Sequence, residues 1–416
     1  MRRAGAAGLA AVLLLSFCGR GGDSLFEDDF SNPSSGWKTS GDPGGLVEYS
    51  EGRFRFSVEG GAGAQSTTEE VEGLADLSDV TAEVDVIWPS GGVRFGGVVC
   101  RVEGERRYTL SIDSDGTYGV FKRDAGRTVD LKYGIAPDIR EGAATNRLRA
   151  DCAGDVLSLH VNGKFLASVV DRDFASGAVG LRAGAGGRRE IPETERSEVL
   201  FDEFVLRPAA PQPAPSVEMP PVGREVFSGG FQPEGGWLSG AADEQGEGYG
   251  AAIADEALVI EITEPGAEKT IDSARVSAIQ PDADVVVEAD VSIEQLTGDP
   301  FSSYAGLACR VGERLHYLFL LYGDGSYGVL EVSGGGETIR PLAGGFDPAA
   351  RTAAGKSARL RAVCAGDRLS LGVGERLLNE APATSLGAGA VALVAGTDGD
   401  PPMRARFGRL RVLLPG

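Results

Sequence analysis

The chain has 416 residues, of which 42% are hydrophobic and 24% charged, and it contains 62 glycines and 21 prolines. Its 61 acidic and 40 basic side chains give a formal net charge of −21 at pH 7. A surface this acidic repels nucleic acid and anionic lipid head groups, so neither is expected as a partner.

The N-terminus has the pattern of an export signal. Arg2 and Arg3 precede a stretch of small and apolar residues that ends at Cys18. This stretch is too short to span a bilayer as a helix but suits the apolar part of a signal peptide. The four residues ending at Cys18 resemble a bacterial lipobox. We therefore predict a signal peptide over 1–18, lipidation of Cys18 and a tether over 19–24; cleavage without lipidation, giving a soluble secreted protein, is the alternative.

The rest of the chain is predicted to be nearly all β. Short segments alternate apolar and polar residues and are separated by Gly, Asp, Asn or Ser, for example at Asp115-Gly116 and Asn162-Gly163. No long window has the 3.6-residue apolar period of a helix. Many short antiparallel strands in one unit predict a two-sheet sandwich. In the first half, strands are predicted over 53–58, 80–88, 93–102, 107–113, 117–122, 147–153, 156–162, 165–170, 178–183 and 199–206.

The second half of the chain repeats the first. The segment CRVEGERRYTLSIDSDGTYG from Cys100 returns as CRVGERLHYLFLLYGDGSYG from Cys309. A second segment, from Leu148, is identical to the one from Leu360 at 11 of 16 positions. An internal duplication sets the folding unit and the number of its copies.

We therefore expect two β-sandwich repeats, over 25–207 and 223–416. The segment 208–222 between them is rich in Pro and Ala. Such a composition predicts an extended, semi-rigid linker.

Four of the five cysteines recur as equivalent pairs, Cys100 with Cys152 and Cys309 with Cys364. This recurrence predicts one disulfide in each repeat and therefore an oxidising compartment. Two buried free thiols per repeat are the alternative. Metal binding by these cysteines is disfavoured because no CxxC spacing or histidine cluster accompanies them. We predict no cofactor.

The order of several motifs resembles the concanavalin A-like lectin/glucanase superfamily, in particular its laminin-G-like and 3-keto-disaccharide-hydrolase-like (DUF1080-type) domains. The resemblance implies two tandem jelly-roll sandwiches whose first and last strands pair. It implies less about function, because the superfamily includes glucanases, lectins and interaction modules. The motifs in the first repeat are LFEDDF from Leu25, Gly36-Trp37, the hairpin between Tyr108 and Tyr118, NRLR from Asn146, FASGAVGL from Phe174 and FDEFV from Phe201.

No catalytic set is expected. Family-16-type glucanases carry an E-x-D-x-x-E strand, and the only similar spacing here is Glu193, Glu195 and Glu198. It has Glu in place of the central Asp and no counterpart in the second repeat, so we interpret it as a solvated charge run. The two histidines, His160 and His316, stand at non-equivalent positions and are interpreted as ordinary strand residues. We predict that the protein is not an enzyme.

Two acidic pairs near the ends of the first repeat are candidate Ca²⁺ ligands. Asp28-Asp29 and Asp202-Glu203 would lie on adjacent strands and offer oxygen atoms. Both pairs are lost from the second repeat, which a shared site and an ordinary cross-strand charge pattern would both show. We do not predict a metal.

Recurring aromatic residues are expected in the core rather than on a sugar platform, because a duplicated core is kept whatever the ligand. Trp88 occurs only in the first repeat and is the aromatic residue that we expect at the surface. The recurring residues are Tyr108/Tyr317, Tyr118/Tyr327 and Trp37/Trp237.

The last strand carries a basic cluster. Four arginines at positions 404, 406, 409 and 411 lie within an acidic repeat. We expect them to pair with neighbouring carboxylates rather than to form a binding patch.

These observations favour an exported, lipid-anchored protein of the cell envelope with two non-catalytic binding modules. The expected partner is a glycan or an envelope protein, and the membrane is contacted only through the anchor. Two alternatives are a glycoside-active enzyme of the DUF1080-like type and a purely structural spacer.

Overall fold

A computed structural model describes most of the chain from residue 24 onwards. The predicted signal peptide, Cys18 and nearly all of the tether lie outside the described residues, as does Trp237. No helix in the described part is long and apolar enough to cross a membrane. The segments not described are 1–23, 43–44, 60–65, 72, 90–93, 186–195, 212, 214–217, 230, 232–242, 247, 267, 273–283, 296–301, 313–314, 337, 353–355, 385–388, 398 and 400.

The first half of the chain, repeat 1, folds into short strands throughout its described part. They are β1 (Phe26–Asp28), β2 (Ser40–Asp42), β3 (Gly45–Ser50), β4 (Arg53–Glu59), β5 (Ser66–Glu70), β6 (Val80–Ile87), β7 (Arg94–Glu103), β8 (Arg106–Asp113), β9 (Thr117–Asp124), β10 (Arg127–Ile135), β11 (Thr145–Ala153), β12 (Val156–Val161), β13 (Lys164–Val170), β14 (Ala178–Ala185) and β15 (Arg196–Pro208).

The second half, repeat 2, follows the same order and adds two 3₁₀ turns, Gly334–Gly336 and Pro348–Ala350. Its strands are β16 (Val222–Gly229), β17 (Asp243–Gly246), β18 (Tyr249–Ala254), β19 (Ala257–Ile262), β20 (Glu268–Asp272), β21 (Val285–Gln295), β22 (Ser303–Val311), β23 (Leu315–Tyr322), β24 (Ser326–Ser333), β25 (Thr338–Phe346), β26 (Ala358–Ala365), β27 (Arg368–Val373), β28 (Arg376–Pro382), β29 (Ala390–Thr397) and β30 (Met403–Pro415).

Each repeat is a jelly-roll sandwich with its own back sheet. The back sheet of repeat 1 has the order β13-β12-β11-β6-β15-β4-β3-β2, and that of repeat 2 has the order β17-β18-β19-β30-β21-β26-β27-β28. The first and last strands pair in both repeats, β1 with β15 and β16 with β30. The all-β fold class and this strand pairing are as predicted.

The front strands of both repeats join into one twelve-stranded sheet, which we call the shared sheet. Its order is β20-β29-β22-β23-β24-β25-β10-β9-β8-β7-β14-β5. The repeats meet where β10 pairs antiparallel with β25, with Tyr133 opposite Gly344. Tyr133 and Gly344 are equivalent positions, because each lies opposite the glycine that follows the recurring tyrosine, Gly119 or Gly328. The junction is therefore related by a local pseudo-two-fold axis, like the interface of a symmetric dimer.

The two cores lie between the shared sheet and each back sheet. A disulfide connects the two sheets in each repeat, Cys100–Cys152 and Cys309–Cys364, with Cα–Cα distances of 6.7 and 6.6 Å. All four cysteines are buried. These are the pairs that the duplication predicts, and disulfides are typical of exported proteins.

The ten strands predicted in repeat 1 are all present, with ends that shift by one to three residues. The prediction omitted β1, β2, β3, β5 and β10, and β10 is the strand that joins the two repeats. It was also wrong about Trp88, which is 1% exposed. Trp88 continues the inward-facing series Val84 and Val86 of β6, so it belongs to the core of repeat 1.

The basic cluster of β30 is paired with carboxylates, as predicted. The pairs are Arg404 with Glu261 and Glu294 at 3.3 and 3.4 Å, Arg406 with Asp255 at 3.8 Å, Arg409 with Asp290 at 3.6 Å, and Arg411 with Glu225 and Glu288 at 2.7 and 3.0 Å.

Candidate functional site

The outer face of the shared sheet, the face turned away from both cores, is crossed by a row of glycines. In register from β5 to β20 the row reads Thr68, Arg182, Gly97, Ser111, Gly119, Tyr133, Gly344, Gly328, Leu320, Gly306, Val394 and Thr270. A Cβ on Gly97 would overlap the carbonyl oxygen of Leu110, and one on Gly119 would overlap the ring of Phe121. Glycine inside a strand is often found where another group approaches the backbone closely.

Repeat 1 presents polar side chains on this outer face. On β8, Tyr108, Leu110 and Ile112 point inward and are fully buried. The alternating residues Thr109 and Ser111 therefore lie on the outer side of the strand, although they are 7% and 3% exposed, and the half-buried Arg107 and Asp113 lie on the same side at the strand ends.

Three aromatic residues of repeat 1 share this outer face and are partly exposed: Phe95 on β7, Phe121 on β9 and Tyr133 on β10. Phe121 covers Gly119, and the hydroxyl end of Tyr133 reaches over Gly344. Flat rings beside polar groups, on a sheet surface with small neighbours, form the kind of surface on which a sugar ring stacks.

Three arginines lie on the same face, from three different strands. Arg107 of β8 stands directly opposite Arg123 of β9. Arg182 of β14 lies with its guanidinium carbon 5.8 Å from the centre of the Phe95 ring. Burial and the nearby charges of Arg107 and Arg123 lower the pKa of Arg182 to about 9. Burial, followed by the charge of Arg123, also lowers the pKa of Arg107.

In repeat 2, most of the equivalent positions are apolar. Leu318 and Leu320 replace Thr109 and Ser111, and they are 3% and 2% exposed. They belong to a separate apolar cluster on the outer side of the sheet. The full set of replacements is Arg107 by His316, Thr109 by Leu318, Ser111 by Leu320, Asp113 by Tyr322, Phe121 by Leu330, Arg123 by Val332 and Arg182 by Val394.

Of the three carboxylates considered for catalysis, the structure describes only Glu198, which does not lie on the outer face. Glu198 lies on β15 of the back sheet, where it pairs with Arg55 at 3.3 Å; Glu193 and Glu195 lie outside the described residues. Among the described residues, no group of three or more potential ligands is close enough to hold a metal ion.

The acidic pairs of repeat 1 do lie on neighbouring strands, as predicted, but hydrogen bonds already engage them. Asp28 accepts from the Phe30 amide at 2.8 Å and from the Ser35 hydroxyl at 2.5 Å. Asp202 lies 3.6 Å from Arg53. This is the environment of a structural turn.

The histidines are strand residues. His160 lies on β12 of the back sheet, 3.6 Å from Asp151, and burial lowers its pKa. His316 lies on β23 at the edge of the apolar outer face, and burial lowers its pKa as well.

A second concave feature lies between the repeats, on the inner side of the β10–β25 junction. This interdomain cleft has a volume of about 1310 Å³, and β13 and β28, the edge strands of the two back sheets, form its walls. Asn379 of β28 donates from Nδ2 to the carbonyl oxygens of Tyr133 at 2.9 Å and Gly344 at 3.2 Å. The cleft therefore contains a side-chain hydrogen bond that joins the two repeats, from Asn379 to Tyr133.

Sequence reasoning placed the recurring aromatic residues correctly in the core but missed Phe95, Phe121 and Tyr133. Tyr108, Tyr118, Tyr317 and Tyr327 are buried, and so is Trp37. The alternation of side chains along a strand could have located Phe121. Phe121 follows the inward-facing Val120, so its side chain lies on the face opposite the core.

No family model matches the sequence, and no curated protein sequence matches it. Solved structures with a similar fold include a carbohydrate binding module, CBM66, from Bacillus subtilis, at 17% identity over 41% of this chain and 95% of that chain, with a TM-score of 0.34. A Bacillus subtilis protein of unknown function with a galectin-like fold is 10% identical over 46% of this chain and 99% of that one, with a TM-score of 0.36. The catalytic domain of a laminarinase from Thermotoga petrophila is 10% identical over 44% and 96%, with a TM-score of 0.34. At these identities the likeness concerns the fold alone.

Proposed function

We propose that this protein is exported, lipid-anchored at Cys18 and binds a glycan, without cleaving it, on the outer face of repeat 1. The observation that carries the proposal is the contrast between the two copies. The outer face of repeat 1 carries three arginines and three partly exposed rings, whereas most of the equivalent positions of repeat 2 are apolar and packed in a cluster. This difference between a packed apolar cluster and partly exposed rings and arginines favours a ligand on repeat 1.

The chemistry of this face suits a sugar. Guanidinium groups donate hydrogen bonds to the hydroxyl oxygens of a sugar, while the rings of Phe121 and Tyr133 offer apolar surface to the CH face of a pyranose. The non-catalytic role is proposed because Glu198, the last residue of the spacing similar to E-x-D-x-x-E, lies on the back sheet, away from this face.

The test is a binding screen with the mature chain carrying Cys18→Ser, against soluble and insoluble polysaccharides, with reducing-sugar release measured in the same wells. Phe121→Ala and Tyr133→Ala should each weaken binding about tenfold, which corresponds to about 1.4 kcal/mol. Phe165→Ala is the matched control, because Phe165 is 46% exposed but lies at the interdomain cleft.

Saturable binding that needs Phe121 and Tyr133, with no sugar released, supports the proposal. Release of reducing sugar overturns the non-catalytic role. Binding that is unchanged in both variants moves the site away from this face, and an absence of binding to every polysaccharide leaves a protein partner or a spacer role.

A further inference from the structure

We propose that the edge of β13 in the interdomain cleft binds an extended basic peptide, a segment of another protein, as an added strand. This site lies apart from the outer face of the shared sheet and does not rest on the proposed function. It gives the molecule a protein partner in addition to a glycan.

The first argument is the open edge of β13. β13 ends its back sheet and pairs on one side only, with β12. The Asp171 amide, just after β13, donates to the carbonyl oxygen of Asp155 at 2.9 Å. Because backbone groups alternate between the two sides of an antiparallel strand, the N–H and C=O groups of Ser168 and Val170 point away from β12. Both residues line the cleft, and an exposed sheet edge of this kind accepts an extended peptide.

The second argument is that the equivalent edge of repeat 2, on β28, is blocked. The register of the two hairpins makes Glu380 the equivalent of Ser168 and Pro382 the equivalent of Val170. Pro382 has no N–H to donate. The Glu380 amide already donates to Oδ1 of Asn379 at 3.0 Å, and the linker forms a bridge to the first residue of β28. Proteins protect sheet edges by such devices, so an edge that lacks them in the duplicated unit favours a partner there.

The third argument is the apolar surface and the size of the cleft. Phe165 and Val170 of β13 are 46% and 50% exposed, and both line the cleft. Its volume of about 1310 Å³ exceeds the roughly 300–1,000 Å³ of small-molecule pockets. The cleft therefore suits a segment of polypeptide that carries apolar side chains.

The fourth argument is charge. Three exposed carboxylates that line the cleft, those of Asp138, Glu218 and Asp367, form no ion pair within the part of the chain that the structure describes. Lys132 at the floor reduces this negative charge without reversing it. Lysine and arginine side chains of a bound peptide complement the three carboxylates. The other acidic lining residues are already paired: Asp171 with Lys122, Asp347 with Arg376, Glu375 with Arg361 and Glu380 with Arg368.

The experiment measures the binding of a short peptide of alternating Val and Lys to the mature Cys18→Ser chain by fluorescence anisotropy. A peptide of alternating Val and Glu tests the charge. The Val–Lys peptide with all its amides N-methylated tests strand pairing, because it keeps the side chains and loses the donors. We expect the unmodified basic peptide to bind about tenfold more tightly than either control, and its margin over the acidic peptide to shrink in high salt. Hydrogen exchange should slow at Ser168 and Val170 when it binds.

Val170→Pro should reduce binding of the basic peptide about tenfold, because it removes an outward N–H and places a ring on the edge. Pro382 shows that the fold accepts proline at the equivalent position, and circular dichroism checks that the variant folds. Val170→Thr is the matched control, since it keeps the amide and should bind as the wild type does. Asp138→Asn and Glu218→Gln should each reduce binding about threefold at low salt.

Binding that survives Val170→Pro, equal binding of the acidic or the N-methylated peptide, or no binding of the basic peptide overturns the proposal. So does a concentration-dependent dimer of the wild type that Val170→Pro abolishes, because a second copy would then occupy the edge. If Val170→Pro does not fold, the comparison with the N-methylated peptide decides. Polysaccharide binding on the outer face should be the same in Val170→Pro as in the wild type, so the two sites are tested separately.

Discussion

Lys132 lies on the inner side of β10, at the floor of the interdomain cleft. No carboxylate of the described residues is within ion-pairing distance of its ammonium group. Burial, with a smaller contribution from Arg376, lowers its pKa to about 8, against the pull of Glu380 and Asp347. The folded protein therefore holds this charge at a cost that the unfolded chain does not have.

Lys132→Met should raise the free energy of unfolding at pH 7 by roughly 1–2 kcal/mol, a value reduced from the full pKa shift because the side chain is partly exposed. Between pH 8 and 10.5 the unfolded chain binds more protons at this position than the folded one, so the wild type gains stability as pH rises. The advantage of the variant should thus be complete below pH 8 and vanish near pH 10.5. Urea unfolding of both proteins at several pH values measures it.

Lys122→Met is the matched control for this prediction. Lys122 lies 2.6 Å from Asp171 and 2.5 Å from Asp173, so its loss should destabilise the protein at pH 7. If both lysine variants change stability in the same direction, the account of Lys132 is wrong.

At the scale of the elements, the disulfide Cys100–Cys152 ties β7 of the shared sheet to β11 of the back sheet, across 52 residues of sequence. Closing a loop of this length restricts the unfolded chain and contributes about 4 kcal/mol in the chain-entropy model. The double change to alanine should lower the free energy of unfolding of repeat 1 by about this amount. Tryptophan fluorescence monitors the unfolding of repeat 1, because Trp37 and Trp88 are both buried there.

The control for the disulfide prediction is added reductant. Under reducing conditions the wild type should approach the stability of the double variant, whereas the variant should respond only through the Cys309–Cys364 bond of repeat 2. If the free energy of unfolding falls by less than about 1 kcal/mol, the disulfide contributes little to the stability of repeat 1.

A strand could be predicted from the sequence when its hydrogen-bonded partner is the next strand along the chain. Strands such as β8 and β9 are hairpin neighbours with alternating patterns, so the sequence alone located them. The patterns of β10 and β25 are interrupted, by Gly134 in one and by Pro341 and two glycines in the other. Their pairing crosses from one repeat to the other, and no local pattern encodes a partner that lies in the other repeat.

The candidate site was harder to predict than the fold for a related reason. Comparing the repeats singled out residues that recur, and recurrence selects the core. The residues proposed to bind a ligand are those that differ between the repeats, such as Phe121 against Leu330. Which differences share a face became visible only when the register of the strands was known.

At the scale of the whole molecule, the repeats are packed together rather than held apart by the linker. Parts of the linker lie against each repeat: the Ala209 amide donates to Asp79 at 3.0 Å and the Met219 amide to Glu375 at 3.1 Å. Together with the β10–β25 pairing and the bonds from Asn379, these contacts hold the two sandwiches in one orientation.

Cutting the linker should therefore leave the repeats associated. With a protease site placed within 208–222, the nicked protein should elute from a sizing column near the 43.1 kDa of the intact chain. Asn379→Leu removes the part-buried hydrogen bond to Tyr133 of repeat 1, worth about 1 kcal/mol, and a buried one to Gly344 within repeat 2, and it should shift the nicked protein toward separate halves.

The reference for this experiment is the uncut Asn379→Leu chain, which should elute as the wild type does. Halves that separate in the nicked wild type would show that the linker, rather than the junction, holds the repeats together.

At the pseudo-two-fold axis, Tyr133 of repeat 1 faces Gly344 of repeat 2, and this difference determines which strand edges can pair. A Cβ on Gly344 would already overlap the hydroxyl of Tyr133, so there is room for a tyrosine only where it faces a glycine. Two copies of repeat 1 brought together edge to edge would set one tyrosine against another, and the space does not allow it. The edge of β10 therefore accepts β25 of the same chain, which offers a glycine, and excludes the β10 edge of a second molecule.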